Sequence, residues 1–203
     1  DERIYDPLME MLEAAKEGNW DQLPMVVSGY RTQKKQQQLY DDKVAGYRKE
    51  GNSQSEAEEL AKQWVSVPGY SEHQIGLAVD INGATYDLYF WLQENSYKYG
   101  FIFRYPGDKT DITGVAEEVW HYRYVGVEAA TEMYEEGLCL EEYLAERQAF
   151  TLFGDKESPE NSQVNDTTTQ GPDDVQVGLL DESSPQNTQT ANDDTDWNLV
   201  LVN

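Results

Sequence analysis

The chain has little of what proteins use to cross-link themselves, to enter lipid or to hold nucleic acid. Cys139 is the only cysteine in 203 residues, so neither an intrachain disulfide nor a thiolate metal cluster can form. That fits an exported Gram-positive protein or a cytosolic one. No stretch approaches the roughly 18 consecutive apolar residues of a membrane span. The N-terminal DERIYDPLMEML lacks the basic start and apolar run of a signal peptide. The chain begins at Asp1 rather than Met, which suggests a mature or recombinant fragment and leaves open the removal of an export signal or anchor. Basic residues are also few, 15 Lys and Arg against 39 Asp and Glu, for a net charge of −24. Such a charge repels phosphate backbones and anionic lipid, which argues against nucleic acid as a partner and against unaided membrane adhesion. An anionic wall polymer would be repelled too, so specificity has to come from a local pocket.

The remaining composition is uneven. Aromatic residues make up 12% of the chain and concentrate before Phe153, where a core can be buried. From Asp155 onward Ser, Thr, Asn, Gln, Asp and Pro dominate, a composition that cannot offset ordering entropy by burial. One folded domain over residues 1–154 and a disordered acidic linker over 155–203 are therefore expected. The exception is the β-prone run Trp197–Val202, which is either the start of something further or a strand for an open edge. No internal repeat is present.

Periodicity within 1–154 predicts helices and strands in mixed order. Leu8, Met11, Leu12 and Ala15 share a helical face that Gly18 closes. Pro24–Ser28 reads as a short strand, and Thr32 as the N-cap of a polar helix running to about Arg48. A second polar helix spans about 55–64 and ends before the turn Pro68–Ser71. Gly76–Ile81 alternates, with Leu77, Val79 and Ile81 on one face and Gly76, Ala78 and Asp80 on the other. A helix over 86–99 ends at Gly100, strands follow at 101–104 and 121–125 with a loop between them, and helices near 127–136 and 140–149 complete the domain. The fold class is α+β, a small antiparallel sheet flanked by helices rather than repeated βαβ units.

Histidine is scarce, and each of the two, His73 and His121, has a carboxylate close by in sequence. A catalytic zinc takes three N or O ligands and keeps a fourth position open. His73, Asp80 and His121 supply that number, with small residues on the Asp80 face leaving room. Glu118 lies three residues before His121, in the loop entering the strand, where it suits a general base better than a ligand. Each assignment has a plainer rival. A lone histidine is usually structural, Asp80 could cap a turn, and the pair Glu117–Glu118 could be a solvated loop. Tyr30, Trp64, Tyr97, Tyr99, Tyr122 and Tyr124 read as packing residues, and Arg104 is left unassigned.

Three blocks in order, Ser28-Gly-Tyr-Arg31, Ser71-Glu-His-Gln-Ile-Gly-Leu-Ala-Val-Asp-Ile81 and Glu118-Val-Trp-His-Tyr-Arg-Tyr-Val-Gly126, resemble the VanY-type D-alanyl-D-alanine carboxypeptidase family over residues 5–150. The resemblance implies a zinc D,D-peptidase-like fold, with zinc on His73, Asp80 and His121 and Glu118 as catalytic acid/base. It further implies that Arg31 contacts substrate and stabilises the oxyanion, that Gln36 and Ser71 line the pocket, and that Tyr70 and Trp120 form walls. The implied substrate is a peptidoglycan stem peptide, cut by a monomer at the cell wall outside the membrane. An L,D-carboxypeptidase on tetrapeptide stems and a wall-binding module without turnover are the alternatives. Val119 stands where the family pattern has proline, which would stiffen the loop that aims Glu118.

Overall fold

The structure, a computed structural model, describes residues 1–153. The expected boundary at 154, the acidic linker 155–203 and the run Trp197–Val202 lie outside the described residues. Four strands, β1 (Met25–Ser28), β2 (Ala78–Asn82), β3 (Phe101–Phe103) and β4 (His121–Tyr124), form one sheet in the order β1-β2-β4-β3. Every pairing is antiparallel, as the α+β expectation requires.

The alternation seen in sequence decides which face of the sheet is greasy. Val79, Ile81, Phe101 and Tyr122 point to one side and meet Met11 and Leu12 of α1 (Tyr5–Ala14), Ala15 just beyond it, and Leu88 and Leu92 of the helix Asp87–Asn95, all in one buried cluster. This is the largest apolar cluster among the described residues, and its burial favours folding. Leu92 is fully enclosed (0% exposed). Leu92→Ala is expected to cost about 2–5 kcal/mol of unfolding free energy, read as a lower urea midpoint at unchanged m-value.

The two polar helices become α2 (Gln33–Lys49) and α3 (Gln54–Lys62). Thr32 caps α2 by accepting from the Lys35 amide at 3.2 Å, and Ser53 and Glu56 form a reciprocal capping box at the start of α3. Val44, Ala57 and Ala61, flanked by Tyr40 and Tyr47, pack these two helices together in a core of their own. The helix expected over 86–99 is an α-helix, α4 (Asp87–Asn95), followed by a 3-10 turn Ser96–Tyr99. Asn95 marks the change by donating its side-chain amide to the Trp91 carbonyl at 2.8 Å, which competes with the helical ladder. Gly100 then reverses the chain at φ +82°, where a Cβ would sit 2.8 Å from the Tyr124 ring. The loop before β4 contains a one-turn helix, α5 (Thr110–Thr113), that periodicity does not reveal. The chain ends its described part in α6 (Val127–Glu136) and α7 (Leu140–Phe153).

Candidate functional site

The face of the sheet opposite the core carries the polar residues. Ser28 of β1 is registered with Asp80 of β2, and Asp80 with His121 of β4. Directly opposed residues of antiparallel strands share a face, so these three side chains form a row across the sheet. Arg104, just past β3, extends it, its amide donating to the His121 carbonyl at 3.3 Å. An irregularity in β1 between Val26 and Ser28 sets this register.

His73 reaches the row from the 3-10 turn Glu72–Ile75. Two bonds hold that turn against the segment after β1: the Arg31 amide donates to the His73 carbonyl at 3.1 Å, and His73 Nδ1 lies 2.7 Å from the Gly29 carbonyl oxygen. Gly76 ends the turn at φ +69° and sends the chain into β2. Since Nδ1 is occupied by a backbone acceptor, Nε2 is the nitrogen turned toward Asp80, 3.3 Å from its Oδ1. The same oxygen lies 3.2 Å from His121 Nδ1. The two imidazoles meet edge to face with centroids 4.9 Å apart. All three residues are buried, and one donor atom from each lies within 4.8 Å of the others.

Two atoms of this cluster, His73 Nε2 and Asp80 Oδ1, are buried without a hydrogen-bond partner. Such groups are rare in folded proteins because each forfeits its hydration. The charges around them tell the same story. Burial disfavours an ionised Asp80, but its contacts with both histidines hold the carboxyl well below the usual range. Burial likewise disfavours a charged His121, yet Asp80 and Glu72 push it up to about 9. Two imidazoles and a carboxylate thus converge on one point, a donor set that suits a cation. His73, with burial dominant, is shifted the other way, toward the neutral imidazole that ligates metals.

Glu118 sits at the edge of the cluster, its Oε2 3.6 Å from His121 Nδ1. Its amide donates to the Tyr105 carbonyl at 3.2 Å, and its carbonyl accepts from the His121 amide at 3.0 Å. These two bonds aim the loop although Val119 occupies the position where proline was expected. Burial, reinforced by the Asp80 charge against the pull of His121, raises the Glu118 carboxyl to about 7.

The other expected site residues fall at different depths. Arg31 lies on the cluster, its Nη2 on Asp80 Oδ2 and its Nε donating to Ser28 Oγ at 2.8 Å. Gln36 is fully buried, donating Nε2 to the Ser66 carbonyl at 2.8 Å while its Oε1 has no partner. Ser71 is buried at the head of the His73 turn, where its hydroxyl makes no capping bond. Among the expected packing residues, Tyr122 is buried and Tyr97 stacks on Tyr134 at 3.9 Å. Tyr30 and Trp64, in contrast, are exposed, and Tyr70, expected as a wall, is 84% exposed, because all three lie outside the sheet core and the α2–α3 core. Glu72, the buried Arg104 and the partly exposed Glu141 form an ion-pair network behind His121 that sequence reasoning did not find.

A family model described as D-alanyl-D-alanine carboxypeptidase, VanY, matches residues 1–127. The chain belongs to this family. It is 55% identical over 150 residues to a D-alanyl-D-alanine carboxypeptidase of Enterococcus faecalis, a match covering 71% of this chain and 55% of that protein. The chain spans about half the length of the curated relatives it matches. Among solved structures, a mutant of the vancomycin resistance D,D-pentapeptidase VanY in complex with Zn(II) aligns at 55% identity with a TM-score of 0.66, covering 71% of this chain and 83% of that one. VanYB in complex with D-alanine-D-alanine aligns at 54% identity with a TM-score of 0.67, covering 70% and 81%. The four-stranded antiparallel sheet with flanking helices is thus the VanY fold, and the residue cluster lies wholly within the family match.

Proposed function

We propose that this chain is the catalytic part of a zinc D,D-carboxypeptidase that removes the terminal D-alanine from peptidoglycan stem peptides. The observation that carries the reading is the buried His73–Asp80–His121 cluster with its two unpartnered atoms. A tetrahedral ion with bonds of about 2.0–2.1 Å has ligand-to-ligand edges of about 3.3 Å, and the two separations to Asp80 Oδ1 are 3.3 and 3.2 Å. The donor set fits zinc. His73 would bind through Nε2, Asp80 through Oδ1 and His121 through Nδ1. Zinc held there supplies Lewis acidity, polarising a carbonyl oxygen and making water more acidic.

The chain's own groups do the rest. Glu118 takes a proton from the attacking water on Oε2 and hands it to the amine of the departing D-alanine, a task for which a carboxyl near pH 7 is well matched. Arg31 offers five N–H donors, of which Ser28 and Asp80 engage Nε and Nη2. It steadies Asp80 and holds the substrate carboxylate or the developing oxyanion. The buried amide of Gln36 and the hydroxyl of Ser71 line the pocket. Arg31→Lys keeps the charge but loses the planar fork, and about a 100-fold lower kcat/KM is expected, measured on zinc-replete protein.

A zinc-loaded sample incubated with stem pentapeptide and with tetrapeptide, followed by mass spectrometry, tests the reading. Loss of one D-alanine from the pentapeptide alone is expected. Trimming of the tetrapeptide instead would reassign the enzyme as an L,D-carboxypeptidase, and binding without release would make it a wall-binding module. The work site implied is the cell wall, reached by a monomer; no helix among the described residues is long and apolar enough to cross a membrane.

A further inference from the structure

His121 is gripped from both sides of its ring. Nδ1 faces Asp80 and Glu118, while Nε2 lies 3.4 Å from Glu72 Oε2. The other Glu72 oxygen accepts from Arg104 Nε at 2.7 Å and has Arg123 Nη1 3.7 Å away. Arg104 in turn makes a two-pronged contact with Glu141, Nη1 to Oε2 at 3.0 Å and Nη2 to Oε1 at 2.6 Å, and its guanidinium covers the Tyr105 ring at 4.6 Å. Arg104 is 7% exposed. Burying an arginine between two carboxylates carries a large desolvation cost, so the arrangement is weak evidence for stability in its own right. Its geometry has a more specific consequence. His73 is oriented by a backbone carbonyl, whereas His121 has only a side chain at its outer nitrogen.

We infer that Glu72 is a positioning residue for the metal centre, its Oε2 accepting from Nε2–H of His121 and thereby fixing the tautomer whose Nδ1 lone pair faces Asp80 and His73. Arg104 holds Glu72 in place and Glu141 holds Arg104. The turn Glu72–Ile75 therefore delivers one ligand, His73, and the orienting carboxylate of another. The relay begins on α7, outside the 1–127 segment matched by the family model, so this helix acts on the site through Arg104 and Glu72. The inference rests on the zinc reading above, but its test does not depend on hydrolysis.

Two histidines in the whole chain make the tautomers directly readable. Long-range proton–nitrogen correlation spectra of the ¹⁵N-labelled, zinc-loaded protein should show His121 protonated at Nε2 and His73 protonated at Nδ1. In Glu72→Ala, zinc should bind about 10- to 100-fold more weakly by chelator competition, and the pattern of His121 should change at Nε2–H, whose shift reports the lost acceptor, while that of His73 does not. Zinc affinity within about twofold of wild type and an unchanged His121 pattern would overturn the inference. Should Glu72→Ala not fold, Glu141→Ala carries the test from a more exposed position. A severalfold loss of zinc affinity with a shift confined to His121 is then expected, and no change in either would overturn the relay. A protein that shows these signatures yet releases no D-alanine would sink the hydrolytic reading and leave this one standing.

Discussion

Glu118→Ala is expected to lower kcat for D-alanine release by about three orders of magnitude, within the 10²–10⁴ range that a positioned acid/base contributes, while zinc binding stays close to wild type. The separation follows from where the carboxylate sits. Its Oε2 is 3.6 Å from His121 Nδ1, near the proposed ion but outside the compact donor set of His73, Asp80 and His121. Removing it takes away the group that moves the proton and leaves the three donors intact. Glu118→Gln preserves volume and hydrogen bonding and should be as inactive, which distinguishes lost proton transfer from a collapsed pocket. Kinetics on the pentapeptide together with zinc stoichiometry check both variants; turnover equal to wild type in either would refute the role.

The second large effect is on the metal itself. His73→Ala should abolish stoichiometric zinc binding and with it detectable turnover, because two remaining protein donors fall short of the three that catalytic zinc sites use. Stability gives a readout independent of activity. A ligand that binds only the native state adds about 4 kcal/mol at a free concentration about 1,000 times its Kd, so zinc should raise the wild-type melting temperature and leave that of His73→Ala unmoved. The substitution also removes one of the cluster's two unpartnered buried atoms. The metal-free variant is therefore expected to lose less stability than truncation of a core residue such as Leu92. A zinc-dependent rise of equal size in the variant would place the ion elsewhere.

How much of this could be read from the chain depends on the range of the interaction. Local signals were legible: Thr32 as a helix cap, the alternation about Val79 and Ile81, and the limits of α6 all follow from neighbours a few residues apart. The candidate site residues were legible as residue types because histidine is so scarce and because the blocks around them match a family. Their arrangement was not. That Ser28, Asp80 and His121 stand in one row depends on strand pairing across 52 and 41 residues, set partly by the irregularity in β1. Glu72 escaped notice, and Arg104 stayed unassigned, for the same reason. In a chain with 39 acidic residues one more glutamate carries no signal, and its meaning appears only when the fold brings Arg104 and His121 against it and Glu141 against Arg104. The exposure of Tyr30 and Trp64 is the converse case: aromatic side chains suggest packing, but neither lies where a second layer covers it.

A single zinc ion coordinated by His73 Nε2, Asp80 and His121 Nδ1, with Glu118 beside it, underlies every functional prediction for this chain. Anomalous diffraction at the zinc edge from crystals of the zinc-loaded protein tests that claim. One strong peak about 2.0–2.2 Å from those three donor atoms, with the Glu118 carboxylate adjacent but outside bonding distance, is the predicted result. A peak bound by other residues, or full zinc occupancy with His73 or His121 turned away from the ion, would contradict it.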